Sequence, residues 1–489
     1  MAAGVLIIVG LCVGVCIVVP ISSEDPLCGM KLRITTAGLN YANKVLIDNL
    51  KKKTEENKID DLIHNAHHLS FQLTGIHVLR LSVPSSSVTL MKDEGLQWSA
   101  RDVEISVSAD YHYEYEKKIL IPIKISGHGS VDITVRGASF AVQIGMGVDK
   151  TNRPSIHTTS VYCHIDDVKA HFSGGLDAMI LNLVIGLVQD YLKNVLKDNL
   201  CDLLDKSVNH DTEKSMQRLK ISSHIGKHFV LDYGLLIAPV FHTDSVETFH
   251  KGIIYVMNKN ETVPFHPSPF PPITTNNKML YAWISGYMFN SLTYHAQMQG
   301  MLKRTLTNND FGENAFLNIS CKFGAMCIGK FLPQLREHFP NQYVEIEMVS
   351  TKAPDIALIN GELHLIMNGK MTLYVRPTST TERHYLFTMD VDLMSAIKVS
   401  YAAGYLHSKL GEMSFSVCIW NSTVHPLYER ALNFIMQNVV KQYIQPVLEG
   451  QGAKGLPLII TDDVRLVNTD IQLTQDAIMI ETDVEIVEV

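Results

Sequence analysis

A chain of 489 residues, 46% of them hydrophobic, is long enough for two or three domains and has apolar material for a core in each. That composition excludes a disordered chain. The formal net charge of −8 excludes the global basic field on which nucleic-acid binders rely, and no nucleic-acid motif is present.

Val5 to Val19 is an unbroken apolar run followed by Pro20, Ile21, Ser22 and Ser23, which suit a cleavage site, so residues 1–23 read as a secretory signal peptide. The competing reading is a retained anchor, because Ala2 to Val19 approaches spanning length and no Lys or Arg precedes the run. No later stretch nears about 18 uninterrupted apolar residues, so cleavage leaves a soluble, extracellular protein. It also removes Cys12 and Cys16. Cys28, Cys163, Cys201, Cys321, Cys327 and Cys418 remain, and an even number in an exported chain points to disulfides. The sequons at Asn260, Asn318 and Asn421 are compatible with glycosylation in that compartment.

From Lys31 the chain reads LRITTAGLNYANKVLIDNLKKK, with Leu39, Ala42, Val45, Leu46 and Leu50 at helical spacing. Thr35 or Thr36 suits its cap, and Lys51, Lys52 and Lys53 suit the negative end of the helix dipole. The period then changes from helical to alternating. Val103, Ile105 and Val107 alternate with polar residues, as do Val131, Ile133 and Val135, and the run Ala138 to Val148 continues the pattern. Long antiparallel strands with one wet face follow from this, and such a sheet must be covered or curl on itself. Leu176 to Val208 supplies the cover, a long amphipathic helix whose stripe includes Leu183, Leu187 and Tyr191.

Val263 to Thr275, VPFHPSPFPPITT, places five prolines within nine residues, so no regular element runs through it. It reads as an extended strap near the middle of the chain. Beyond it, Lys330 to Phe339 reads as a short helix, and Val344 to Val375 holds three alternating strands. A second long amphipathic helix runs from about Leu427 to Ile444, with Ile435, Val439 and Tyr443 on its apolar face, ended by Pro446 and Gly450. Strands close the chain. Helix, strands, long helix, strands thus occurs twice, which predicts an α+β protein of two related lobes, residues 24–256 and 280–489, with a proline-rich linker at 257–279.

Several stretches together resemble the family of bactericidal/permeability-increasing protein, lipopolysaccharide-binding protein, phospholipid transfer protein and cholesteryl ester transfer protein. They are Leu32 to Ala42, Leu231 to Gly252, the strap with Met279 to Ser291, Phe331 to Pro340 and the region from Lys454 to Ile460; their order and spacing carry more weight than any one of them. The resemblance implies a boomerang of two barrels, strongly curved antiparallel sheets, joined by a central sheet, each barrel holding an apolar pocket for phospholipid acyl chains. It implies a disulfide between Cys163 and Cys201, closing 38 positions and worth roughly 3–4 kcal/mol on a loop-entropy model. The partners it implies are phospholipid or lipopolysaccharide at a membrane or lipoprotein surface, with no cofactor apart from bound phospholipid. Pocket residues would come from the first helix (Leu39, Ala42, Val45, Leu46) and the two long helices (Leu183, Leu187, Tyr191; Ile435, Val439, Tyr443). Tyr111 to Lys118, YHYEYEKK, resembles in position a basic hairpin at the family's barrel tip. Tyr111, Tyr113, Tyr115, Lys117 and Lys118 are therefore expected at a headgroup interface, set against the reading of an ordinary solvated hairpin.

One departure matters. Bactericidal members carry a strongly cationic amino-terminal lobe, whereas Cys28 to His250 here holds 24 Lys plus Arg against 26 Asp plus Glu, net −2. No GxSxG, HExxH or zinc-spaced CxxC motif supports catalysis, and Gly324 to Lys330, GAMCIGK, lacks the hydroxyl residue a phosphate loop needs. His67 and His68 stand adjacent, a pairing more often of surface residues than of metal ligands. The sequence thus points to a secreted, non-enzymatic lipid binder that recognises bacterial lipopolysaccharide. Lipid transfer between particles is the alternative reading, and a secreted hydrolase the third.

Overall fold

The computed structural model describes residues 25–487 apart from 57–60, 67–68, 119–121, 175–177, 260–261, 274–275, 315, 360, 377–381, 459–463 and 475–476. The signal-peptide segment, His67 with His68, and the sequon residue Asn260 lie outside the described residues.

Two strands organise the chain. Met30–Thr35 and Leu280–Ser285 pair antiparallel with Leu32 opposite Ala282, and each runs straight into a helix, Thr36–Glu56 and Gly286–Met298. A β-branched residue followed by a hydroxyl marks both junctions. Ser285 accepts a hydrogen bond from the Tyr287 amide at 3.2 Å, while Thr35 accepts one from Gly38 at 3.5 Å and donates to the Lys278 carbonyl at 2.8 Å. Outward from this pair the six-stranded sheet continues through Ser245–His250 and Val240–Phe241 on one side and Ala477–Ile486 and Val464–Thr474 on the other. Each half of the chain supplies three strands, so the sheet joins the halves rather than belonging to either.

The sheet buries both faces. Met30, Ile284, Ile478 and Ile480 enter one apolar cluster, and Tyr281, Trp283, Ala477 and Met479 enter another, closed by Phe270 and Ile273 of the strap. Charges are buried on the strap side as well. Lys31 lies 3.0 Å from Asp25 and 3.1 Å from Glu247, and Arg33 lies 3.1 Å from Glu247 and 3.2 Å from Asp244. The Lys31 ammonium also sits 5.2 Å from the centre of the Trp283 ring.

His250, at the end of its strand, is fully enclosed. Its Nδ1 donates to the Tyr233 carbonyl at 2.8 Å, which leaves Nε2 to accept the Thr248 hydroxyl at 2.9 Å. Desolvation lowers its pKa to about 4, outweighing the hydrogen bond to Tyr233. The unfolded chain protonates this imidazole near pH 6.5 and the folded chain does not until about pH 4. Folding stability therefore falls as pH drops through that window and is unaffected by this group above it. Denaturant titrations across this range should show the loss, and a His250→Gln variant should show a shallower slope over the same range.

In the amino-terminal half the strands Leu62–Ala66, Leu69–Ser82, Gly95–Lys118, Pro122–Val148 and Pro154–His164 form one antiparallel sheet in that order. The two central strands are 24 and 27 residues long, and their register shifts at bulges beside Asp102, a left-handed residue. Bulges bend long strands, which is how this sheet curls around its apolar face. Thr36–Glu56 and Ala178–Lys206 pack on that face, and the Cys163–Cys201 bridge ties the second helix to the sheet as the resemblance implied.

The carboxy-terminal half repeats the plan. Lys303–Leu306, Tyr343–Ser350, Glu362–Arg376, His384–Ala402 and Tyr405–Ser422 form its sheet, under a helix Glu429–Val439. Two sequence expectations need correction here. Pro446 does not end the helix: a wide π-helical turn, Val440–Ile444, precedes it, and Gln445–Lys454 continues the helix past the proline. Gly455, at φ 72°, makes the actual stop. The helix expected over Lys330 to Phe339 is two short pieces, Ile328–Phe331 and Pro333–His338, because Pro333 starts the second.

Candidate functional site

The inner face of the amino-terminal sheet is continuous apolar surface. Phe71, Leu73, Val131, Ile133 and Val135 are buried on it, and the first helix adds Leu39 and Ala42, each 1% exposed. Such values mean packed neighbours on every side. Val45 and Leu46, one turn on, are only half-buried, as are Tyr191 and Leu196 of the long helix. The expected pocket residues therefore split: Leu39 and Ala42 are core, while Val45, Leu46 and Tyr191 keep accessible apolar surface. Leu183 and Leu187 belong to the long helix by position, and their side chains lie outside the described residues.

The tyrosines of the expected tip point the other way. Tyr111 and Tyr113 are 3% and 2% exposed and lie inside the sheet, which corrects the expectation that they meet lipid headgroups. The register explains it. Tyr111 is opposite Gly129 and Tyr113 opposite Gly127, so the rings cover backbone that has no side chain of its own. Phe172 meets Tyr111 edge-on at 5.1 Å, completing an aromatic cluster with Phe71. The Tyr111 hydroxyl finds no partner, and burial, with Tyr113 adding to it, pushes its pKa up. Tyr115 is half-buried, while Lys117 and Lys118 end the strand with side chains outside the described residues. On the wet face, Glu114 is neutralised by Lys124 at 3.4 Å. The available signal was the glycine pair on the adjacent strand, not the tyrosines.

In the carboxy-terminal half Ile435, Met436 and Val439 are fully buried, and Phe434 stacks on Phe331 with ring centres 3.6 Å apart. Ile435 and Val439 are thus core as well, and Tyr443 is half-buried. Accessible apolar surface is found instead on the inner side of Tyr405–Ser422, where Met413, Phe415, Val417 and Ile419 are half-buried against the same core. Among the described residues that strand has a second neighbour only at Tyr405 and Leu406, leaving an open edge beside this surface.

Two clefts are formed elsewhere. One of about 240 Å³ lies between the strap at Phe265 to Ser268, the start of Gly286–Met298 and the strand Asp355–Ile359. Another of about 290 Å³ opens on the wet face near Arg101, Tyr162 and His164. Ligand pockets commonly measure about 300–1,000 Å³, so neither has room for a two-chain lipid. Cys321 pairs with Cys327, a choice the sequence left open; Cys28 is buried with its thiol pushed up to about 12 by desolvation, and Cys418 is exposed. Asn421 is exposed, whereas the Asn318 side chain accepts a hydrogen bond from Asn308 at 2.6 Å. Among the described residues no His, Cys, Asp and Glu cluster is arranged to hold a metal, and no helix is long and apolar enough to cross a membrane.

Two helix-covered curled sheets about a shared central sheet define a class of paired-lobe α+β proteins. The chain belongs to the LBP / BPI / CETP family: the model of the family's amino-terminal domain matches residues 38–211 and that of its carboxy-terminal domain residues 223–486. Over 463 residues it is 22% identical to a bactericidal permeability-increasing protein of Sebastes schlegelii, covering 94% of this chain and 95% of that one. A lipopolysaccharide-binding protein of Mus musculus is 24% identical, with 94% and 93% covered. A crystal structure of lipopolysaccharide binding protein superposes with a TM-score of 0.59 at 21% identity, over 95% of this chain and all of that one, which establishes the shared fold.

Proposed function

We propose that the protein is a secreted, non-catalytic lipid binder that takes acyl chains against the accessible apolar surface inside its halves and recognises bacterial lipopolysaccharide. The observation that supports this reading is the incomplete burial of some apolar residues on the covering helices. Leu39 and Ala42 are sealed while Val45, Leu46 and Tyr191 are only half-buried. Each methylene laid on such a surface gains about 0.8 kcal/mol, so a hydrocarbon chain of ordinary length binds firmly without a polar contact. Full-length relatives named for lipopolysaccharide binding and for bactericidal action support the choice of ligand.

Transfer of phospholipid between particles is the second reading, favoured by charge. With net −2 over Cys28 to His250, the amino-terminal half offers no general attraction for anionic lipid A and suits zwitterionic headgroups equally. Organic extraction of the purified protein followed by mass spectrometry should yield co-purified phospholipid under either reading. Lipid-free protein with esterase activity would overturn both. Salt-sensitive binding to lipid A selects recognition, and particle-to-particle movement of labelled phospholipid without it selects transfer.

A further inference from the structure

The loop Cys321 to Cys327, sequence CKFGAMC, carries the most exposed large apolar side chain among the described residues. Phe323 is as open as in an isolated peptide, at 109% relative exposure, and Met326 is 52% exposed. Neither is loose. The Ala325 amide bonds the Lys322 carbonyl at 3.1 Å, with Gly324 at φ 86°, the arrangement of a type II turn. The disulfide closes the loop six positions apart, and Cys327 and Ile328, at its base, are fully buried. The Ile328 amide bonds the Phe316 carbonyl at 2.8 Å, which fixes that base to the core. The closed turn fixes the backbone from which the phenylalanine projects.

Position and charge add to this. Leu363 and Leu406, at one end of the carboxy-terminal sheet, pack with the central sheet, whereas Val375 and Leu386, at the other end, pack with Phe316, Leu317 and Ile319 beneath the loop. The loop therefore stands at the end of this half remote from the central sheet. From Asn314 to Arg336 the chain holds Lys322, Lys330 and Arg336 and no carboxylate, in a protein whose net charge is −8.

We propose that this loop is a lipid-surface anchor, with Phe323 and Met326 entering the acyl boundary and Lys322 resting at the level of the phosphates. A convex finger with an apolar apex and a lysine beside it fits a fluid interface, which closes around it without a matching groove. Lysine stems lie along the apolar layer while their ammonium groups reach the phosphates. The contact is separate from lipid held inside the protein, and it holds whichever reading of the interior is right.

The test uses the full chain and its Phe323→Ser/Met326→Ser variant, floated with phosphatidylcholine vesicles containing phosphatidylserine. Binding should weaken about tenfold or more on loss of the two side chains. Lys322→Glu should weaken binding to these vesicles and leave binding to pure phosphatidylcholine nearly unchanged. All three substituted positions are exposed, so the melting temperature and the extractable internal lipid of both variants should match the parent protein; a change in internal lipid alone would bear on the interior, not on the anchor. Equal vesicle binding by parent and double variant would overturn the proposal. So would a change confined to self-association, read by sedimentation velocity, which would assign the loop to a second copy of the chain.

Discussion

Glu247→Ala should cost the protein about 3–5 kcal/mol of stability, the toll of leaving buried charge without its partner. The side chain of Glu247 is 5% exposed and holds Lys31 at 3.1 Å on one oxygen and Arg33 at 3.1 Å on the other. Lys31 is itself 7% exposed, and its remaining carboxylate neighbour, Asp25, is half open to solvent. Without Glu247, two cations on adjacent positions of one face repel each other in a medium that screens poorly. The loss should appear in a denaturant titration as an earlier transition of the central sheet, followed by Trp283 fluorescence, because the Lys31 ammonium lies over that ring. A Lys31→Met/Glu247→Met double variant should recover much of the loss, since Arg33 keeps Asp244 at 3.2 Å and methionine fills the vacated volume. A single variant as stable as the parent would show the cluster to be solvated.

This cluster also shows where sequence reading stops. Alternation placed the long strands well, because a sheet with one wet face writes its period directly into Val131, Ile133 and Val135. The repeat of helix, strands, long helix and strands was legible for the same reason. A strand buried on both faces has no such period: Met30 to Thr35 reads MKLRIT, and its lysine and arginine gave no hint of an interior position. Only the family resemblance pointed to a central sheet, since which strands pair across 250 residues is a property of tertiary packing. The tip tyrosines failed differently. A strand period of two puts Tyr111, Tyr113 and Tyr115 on one face, but which face is inside depends on Gly127 and Gly129 of the neighbouring strand. Cys321 and Cys327 were visible as nearby cysteines, but neither their pairing nor the exposure of Phe323 between them was.

Ile435→Ala should cost about 2–5 kcal/mol and leave the co-purified lipid unchanged. Helical periodicity placed Ile435 and Val439 on an apolar stripe, and such a stripe has the same composition whether it faces packed side chains or a hollow. Burial separates the two cases. A side chain lining a space wide enough for a hydrocarbon chain keeps surface that a water-sized sphere can touch, and Ile435, Met436 and Val439 keep none. Truncation at Ile435 therefore opens a void among Phe316, Leu432 and their neighbours in that core, and the lost contacts add to the lost transfer energy. Leu46→Ala is the opposite case. Its side chain is half-buried, so the stability cost should be smaller, and the change should fall on the amount or chain length of extracted lipid. Denaturant midpoints and lipid extraction on the same two variants measure both quantities. If Ile435→Ala costs no more than a surface substitution, about 0.5 kcal/mol, the carboxy-terminal helix faces an open interior and that half takes lipid along its whole length. If it costs several times that, lipid in this half is confined to the surface beside the open edge of Tyr405–Ser422, where Met413, Phe415, Val417 and Ile419 remain accessible.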